Sequence, residues 1–159
     1  AWATARLTEL LLAARWEAGG RGGAVVEVSA VDELAGDATV AVVKGRKRFL
    51  FEYSVELAWR ARAGGDGDEG EGKSGGVVVV GGAAAGTLRY PDFSSDCDGE
   101  YECTSSVTRA PRAAGEGKAA GASAAVARAV KDGVRARAGG FRKAVEAQMQ
   151  IFIDELHSR

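Results

Sequence analysis

Gly67-Asp-Glu-Gly-Glu-Gly72-Lys73-Ser74 matches the pattern G-x-x-x-x-G-K-[ST], in which backbone amides and a lysine cradle phosphate oxygens ahead of a helix. The surroundings oppose that chemistry. Asp66, Asp68, Glu69 and Glu71 stand in or beside the cradle and would repel a phosphate. The residues that follow, Gly75-Gly-Val-Val-Val-Val80, read as strand, so the pattern lacks the helix N-terminus that completes an anion site. The overlapping Gly65-x-Gly67-x-x-Gly70 has dinucleotide spacing and fails for the same reason. Nucleotide binding through 67–74 therefore stands as the alternative function. The favoured reading of 64–76 is a flexible, acidic, Gly-rich hairpin loop.

Other catalytic sets are thin. His157, the only imidazole, lies near the end of the chain at a helix end prone to fraying, so a Ser or Cys nucleophile would lack a fixed base. Cys97 and Cys103 are too few and wrongly spaced for a zinc framework. Glu52 and Glu56 share a strand face, but paired glutamates on an open face are usually solvated. These residues point away from an enzyme, and no catalytic residue, metal or cofactor is expected.

The remaining local signal is Lys44-Gly45-Arg46-Lys47-Arg48, four cations within five residues between two strand-like runs. A turn there exposes them all. It serves either as a basic guard of a sheet edge or as a docking patch for an acidic surface. No exposed aromatic set accompanies it, which argues against RNA.

Several elements must position this turn. Thr4 to Ala14 reads as a short amphipathic helix capped by Thr4, with Leu7, Leu10 and Leu11 on one stripe. Gly19 to Gly23 breaks it, and Val25–Val31 and Asp37–Val43 read as strands, two separate or one bent. From Phe49 to Arg60 every odd position is large and apolar, the period of a half-buried antiparallel strand. Arg46 and Arg48 then project to solvent. Val77 to Tyr90 reads as strand stopped by Pro91, and Tyr101 to Val107 as a last strand with Cys103 facing inward as a buried thiol. After a Pro/Gly/Ala-rich connection at 110–121, Val126, Val130, Val134, Phe141, Val145, Met149, Phe152 and Leu156 recur at helical steps, with Gly133 and Gly139-Gly140 weakening the middle. The expected fold class is α+β: an N-terminal helix, a four- to five-stranded antiparallel meander sheet, and a long C-terminal helix packed on the sheet.

The 159 residues suit one domain, over 1–159, and the formal net charge of −1 excludes a whole-chain pull toward nucleic acid or membrane. No signal segment or membrane span is legible, and the expected compartment is cytoplasmic. The chain begins with Ala1 rather than Met, from which we expect a fragment or a processed form. Gly, at 23 residues, reads as coding bias and lowers the weight of the two Gly motifs.

In order along the chain, Trp2-Ala-Thr-Ala-Arg-Leu7, Val26-Glu-Val-Ser29 with Gly36-Asp37, Lys44-Gly45-Arg46, Phe51-Glu-Tyr-Ser-Val-Glu-Leu57, Gly86-Thr-Leu-Arg-Tyr-Pro-Asp-Phe-Ser94, Lys131-Asp-Gly-Val134 and Met149 to Leu156 resemble one family. It is the N-terminal domain of the activators of the ninety-kilodalton heat-shock protein ATPase. The resemblance implies an elongated domain with a helix, a meander and a last helix. It also implies a monomeric co-chaperone that binds the chaperone's middle segment and favours its active catalytic loop, with no chemistry of its own. The family's contact aspartate falls on Asp37 and its basic positions on Lys44 and Arg46. Its first basic place is Val43 here, which leaves Lys47 or Arg48 to substitute. The family's segment before the first helix and the second domain of its longer members are absent from this sequence.

Overall fold

The computed structural model describes residues 2–19, 23–64, 83–97, 99–109 and 118–159. The phosphate-loop match at 67–74, the strand expected at Val77–Val80, and most of the loops at 64–76 and 110–121 lie outside them.

Helix α1 (Trp2–Leu12) contains no Gly or Pro and buries Ala3, Leu7, Leu10 and Leu11. It begins two residues before the expected cap. Thr4 lies inside the helix, its hydroxyl 3.5 Å from the Tyr53 hydroxyl. Strand β1 (Arg15–Ala18) was not foreseen, because four residues are too short for an alternation to register. Strands β2 (Ala24–Val43) and β3 (Arg46–Ala63) form a long hairpin. The two β-branched runs at 25–31 and 37–43 are one strand. Irregularities between Val28 and Ala30 and between Val31 and Glu33 absorb the intervening residues without ending the ladder.

Along β3 the odd positions Phe51, Tyr53, Val55, Leu57 and Trp59 are buried, as the alternation requires. Strand β4 (Ala83–Ser94) corrects one expectation, since it runs through Pro91. Val55 pairs with Tyr90 and Tyr53 with Phe93, so Ser54 opposes both Pro91 and Asp92. The proline thus falls in a bulge, where no ladder N–H is needed. Strand β5 (Thr104–Arg109) begins later than expected, and Cys103 is a half-buried group just before it rather than an inward strand residue. The five strands follow the order β1-β2-β3-β4-β5, an antiparallel meander.

The long C-terminal helix breaks in the middle that Gly133 and Gly139-Gly140 were expected to weaken. It divides into α2 (Lys118–Ala129), a π-helical turn (Val130–Arg135) and α3 (Gly140–His157). The break accommodates an indole. A β-carbon on Gly133 or on Gly140 would stand 2.7 Å from Trp16 ring carbons, and one on Gly139 would stand 2.6 Å from the Gly133 carbonyl carbon. These glycines are packing residues, not compositional noise.

The helical segments cover the odd face of the sheet. Phe152 is fully buried and meets Trp2, Phe51, Tyr53 and Phe93 at ring-centre distances of 6.4, 6.1, 6.1 and 6.3 Å. Such aromatic contacts add to area burial, and truncating a ring of this kind costs about 3–5 kcal/mol. Arg6 on α1 donates from Nε and Nη2 to the two carboxylate oxygens of Glu155 on α3, at 2.7 and 2.6 Å. That fork–fork pair holds the two helices together at the end of the sheet where the hairpin emerges. The even face carries exposed and half-buried residues from the hairpin tip to the far end of β3.

Candidate functional site

Val43 pairs with Arg46, which leaves Lys44 and Gly45 as a two-residue turn. Their φ angles are 51° and 75°. Positive φ at both central residues is the type I′ geometry whose twist suits a hairpin. Glycine adopts it freely, whereas a lysine does so at a steric cost.

Register determines which of the expected contact residues act together. Residues directly opposite in an antiparallel pair share a face, and faces alternate along each strand. Asp37 opposes Glu52, Thr39 opposes Leu50, Ala41 opposes Arg48 and Val43 opposes Arg46. These eight residues form one surface on the helix-free face. The adjacent pairs, Ala38 with Phe51, Val40 with Phe49 and Val42 with Lys47, face the helix side. The structure therefore brings Asp37, Arg46 and Arg48 onto one face and puts Lys44 at its tip. Lys47 is turned to the other side. All five are exposed, and Asp37 lies about 20–25 Å from the turn at roughly 3.3 Å per residue.

The arm is anchored on its helix side. The Phe49 ring lies 4.8 Å from the His157 ring. Lys47 Nζ donates to the Arg159 carbonyl at 2.6 Å, and the Arg159 guanidinium stacks 3.6 Å over Trp2. The only imidazole is thus a packing group under the arm, a role that the catalytic reading of His157 did not consider. Close backbone approach fixes the strand pair beside Asp37. Gly36 has φ +145°, and a β-carbon there would stand 2.8 Å from Tyr53 Cα.

At the foot of the arm the open face forms a concavity of about 850 Å³. Its rim carries four carboxylates, Asp37, Glu52, Asp92 and Asp96, drawn from β2, β3, β4 and the turn after β4. Asp37 and Glu52 are directly opposed like charges, an arrangement that weakens a strand pair and that a cation from outside relieves. Among the described residues none of the four carboxylates has an ion-pair partner within 4.0 Å. Asp37 Oδ1 accepts the N–H of Ala38, at 2.8 Å. The Tyr53 hydroxyl beneath is held protonated, chiefly by burial and further by the Asp37 charge. Apolar surface accompanies these charges, with Leu50 51% and Val43 44% exposed.

The arrangement is a basic arm beside an acidic hollow. Burial pushes the Cys103 thiol up from its ordinary pKa, away from the thiolate a nucleophile needs. Among the described residues no cluster of three His, Cys, Asp or Glu side chains could hold a metal ion, and no helix is long and apolar enough to cross a membrane. Reading the sequence missed the hollow. Glu52 was seen as one of a strand pair, but Asp92 and Asp96 join it only through the β3–β4 register, which no local pattern reports.

Comparison with known proteins matches residues 1–158 to the family model described as activator of Hsp90 ATPase, N-terminal. The crystal structure of Aha-1 from Plasmodium falciparum is similar to this fold with a TM-score of 0.60 at 17% identity, covering 99% of this chain and 84% of that one. The solution structure of the human Aha1 N-terminal domain gives a TM-score of 0.52 at 22% identity, over 97% of this chain and 89% of that one. No curated protein matches the sequence.

Proposed function

Because the chain belongs to the activator of Hsp90 ATPase N-terminal family, we propose that it is a monomeric co-chaperone domain that binds the middle segment of Hsp90 and raises its ATPase rate. The observation that carries this reading is the basic arm and acidic hollow sharing one open sheet face. Such a surface fits a partner that presents carboxylates to Arg46, Arg48 and Lys44 and a cation to Asp37 and Glu52. Leu50 supplies apolar contact between the two charged zones, and Val43 supplies it beside the turn. Arg48 projects from the same face as Arg46 and takes the place left by Val43. Lys47 is held by the Arg159 carbonyl and serves to fix the arm.

The domain contributes no reacting group. It acts by binding the chaperone more tightly when the catalytic loop is in its active arrangement. A differential affinity of about 1.4 kcal/mol shifts that equilibrium roughly tenfold. No nucleotide, metal or other cofactor is needed on this chain, and the site of action is the cytoplasm.

The test is a calorimetric titration of the chain, and of its Lys44→Ala, Arg46→Ala variant, against the Hsp90 middle segment. Both residues sit on an exposed turn, so the variant keeps the wild-type circular dichroism. Its affinity falls by about thirtyfold or more if the contacts are desolvated on binding. Equal affinity of the two proteins would remove the basic arm from the site.

A further inference from the structure

The even positions of β3 carry a second charge zone far from the arm. In order they read Arg46, Arg48, Leu50, Glu52, Ser54, Glu56, Ala58, Arg60 and Arg62, basic at both ends and acidic between. Twelve residues separate Arg48 from Arg60, about 40 Å of strand.

Pairing across the sheet extends the far end into a patch. Arg15, Glu27, Arg60, Ala85 and Arg109 are successive direct partners from β1 to β5 and share the open face. In the neighbouring row Arg62 is opposed by Ala83. Arg60 and Arg62 thus stand on one side of β4 and Arg109 on the other. A groove of about 460 Å³ runs between them, floored by Ala83 and Ala85. Two strand spacings make it roughly 10 Å wide between backbones.

Among the described residues counter-charge is short there. Glu17 pairs with Arg15 at 2.7 Å, and Glu27 is shared between Arg60 at 2.6 Å and Arg62 at 3.9 Å. Arg109 has no ion-pair partner within 4.0 Å among the described residues. Among the described residues the groove's three guanidiniums, Arg60, Arg62 and Arg109, therefore share one carboxylate, Glu27, around a floor of methyl groups.

We propose that this groove is a second docking site, for a carboxylate-rich segment of a protein partner. Guanidinium forks match carboxylates in pairs. A peptide is favoured over a nucleic acid because the groove carries no aromatic side chain on which a base would stack. The site is separate from the basic arm, so its test does not depend on the chaperone reading.

The experiment measures fluorescence anisotropy of a labelled polyglutamate peptide titrated with the full chain at low salt. The expected result is saturable binding that added salt weakens. It falls by about tenfold or more in the Arg62→Glu, Arg109→Glu variant and persists in the Lys44→Ala, Arg46→Ala variant. The Arg62→Gln, Arg109→Gln variant, which adds no charge beside Glu27, shows the same loss in smaller degree with unchanged circular dichroism. Undiminished binding in the glutamine variant, or equal loss in the turn variant, would overturn the assignment. So would tighter binding of a labelled single-stranded oligonucleotide that the same groove substitutions abolish.

Discussion

Lys44 offers a substitution in which stability and binding move in opposite directions. It holds φ at 51° in a turn whose other central residue is already glycine. A side chain in the left-handed region costs roughly 1–2 kcal/mol, and asparagine tolerates it better by hydrogen bonding locally. Lys44→Asn creates the Asn-Gly pair that type I′ turns favour. The gain is local, because Val42 and Val43 beside the turn are 70% and 44% exposed and the tip is remote from the core. It falls on the order of 0.5–1 kcal/mol, a rise of roughly two- to fivefold in amide protection at Val43 and Arg46. Hydrogen exchange followed by NMR reads that rise, and calorimetry against the Hsp90 middle segment reads the loss of the ammonium. The expected affinity is lower by about thirtyfold or more if Lys44 is desolvated in the complex. A variant with firmer turn amides and undiminished affinity would refute the view that the strained lysine serves contact. A fall in protection would refute the strain itself.

Other consequences follow from the packing and the register. Gly140→Ala places a methyl group against the Trp16 ring, so overpacking of about 1–3 kcal/mol outweighs a helix gain of at most about 1 kcal/mol. The urea midpoint should fall, and in a Trp16→Ala background the same substitution should raise it. Arg48→Ala should weaken middle-segment binding more than Lys47→Ala, because only Arg48 shares the face of Asp37 and Arg46. Equal effects in calorimetry would contradict the face assignment. Arg6 holds the Glu155 carboxyl below its ordinary range, chiefly through their hydrogen bonds. The stabilisation is therefore present above the ordinary carboxylate pKa and lost as pH falls through the depressed one. Urea midpoints across acid pH should show that loss, and Arg6→Ala should flatten it.

What was legible in the sequence follows from how local each signal is. The alternation from Phe49 to Trp59 lies within one strand, so the buried face of β3 and the outward direction of Arg46 and Arg48 could be read directly. The heptad-like apolar positions from Val126 to Leu156 are all buried, although the segment breaks around Gly133 to Gly140. The glycines marked the place, but the packing of Gly133 and Gly140 against Trp16, distant in sequence, is something no helical period reports. Pro91 was misread because a bulge, set by the partner strand, supplies a place in β4 where its missing N–H is harmless. The basic half of the candidate site belongs to one turn and was visible. The acidic half is assembled from three strands and the turn after β4, and it emerged only when the strand register was known.

The central claim is that this domain activates Hsp90 in trans through charged contacts, and the steady-state ATPase rate of Hsp90 with and without the chain tests it most directly. The predicted result is a rise in rate that saturates with added chain. It weakens at high salt, as screening over a Debye length of about 8 Å near physiological ionic strength requires, and it is lost in the Lys44→Ala, Arg46→Ala variant. A rate that does not change at any salt concentration would contradict the account.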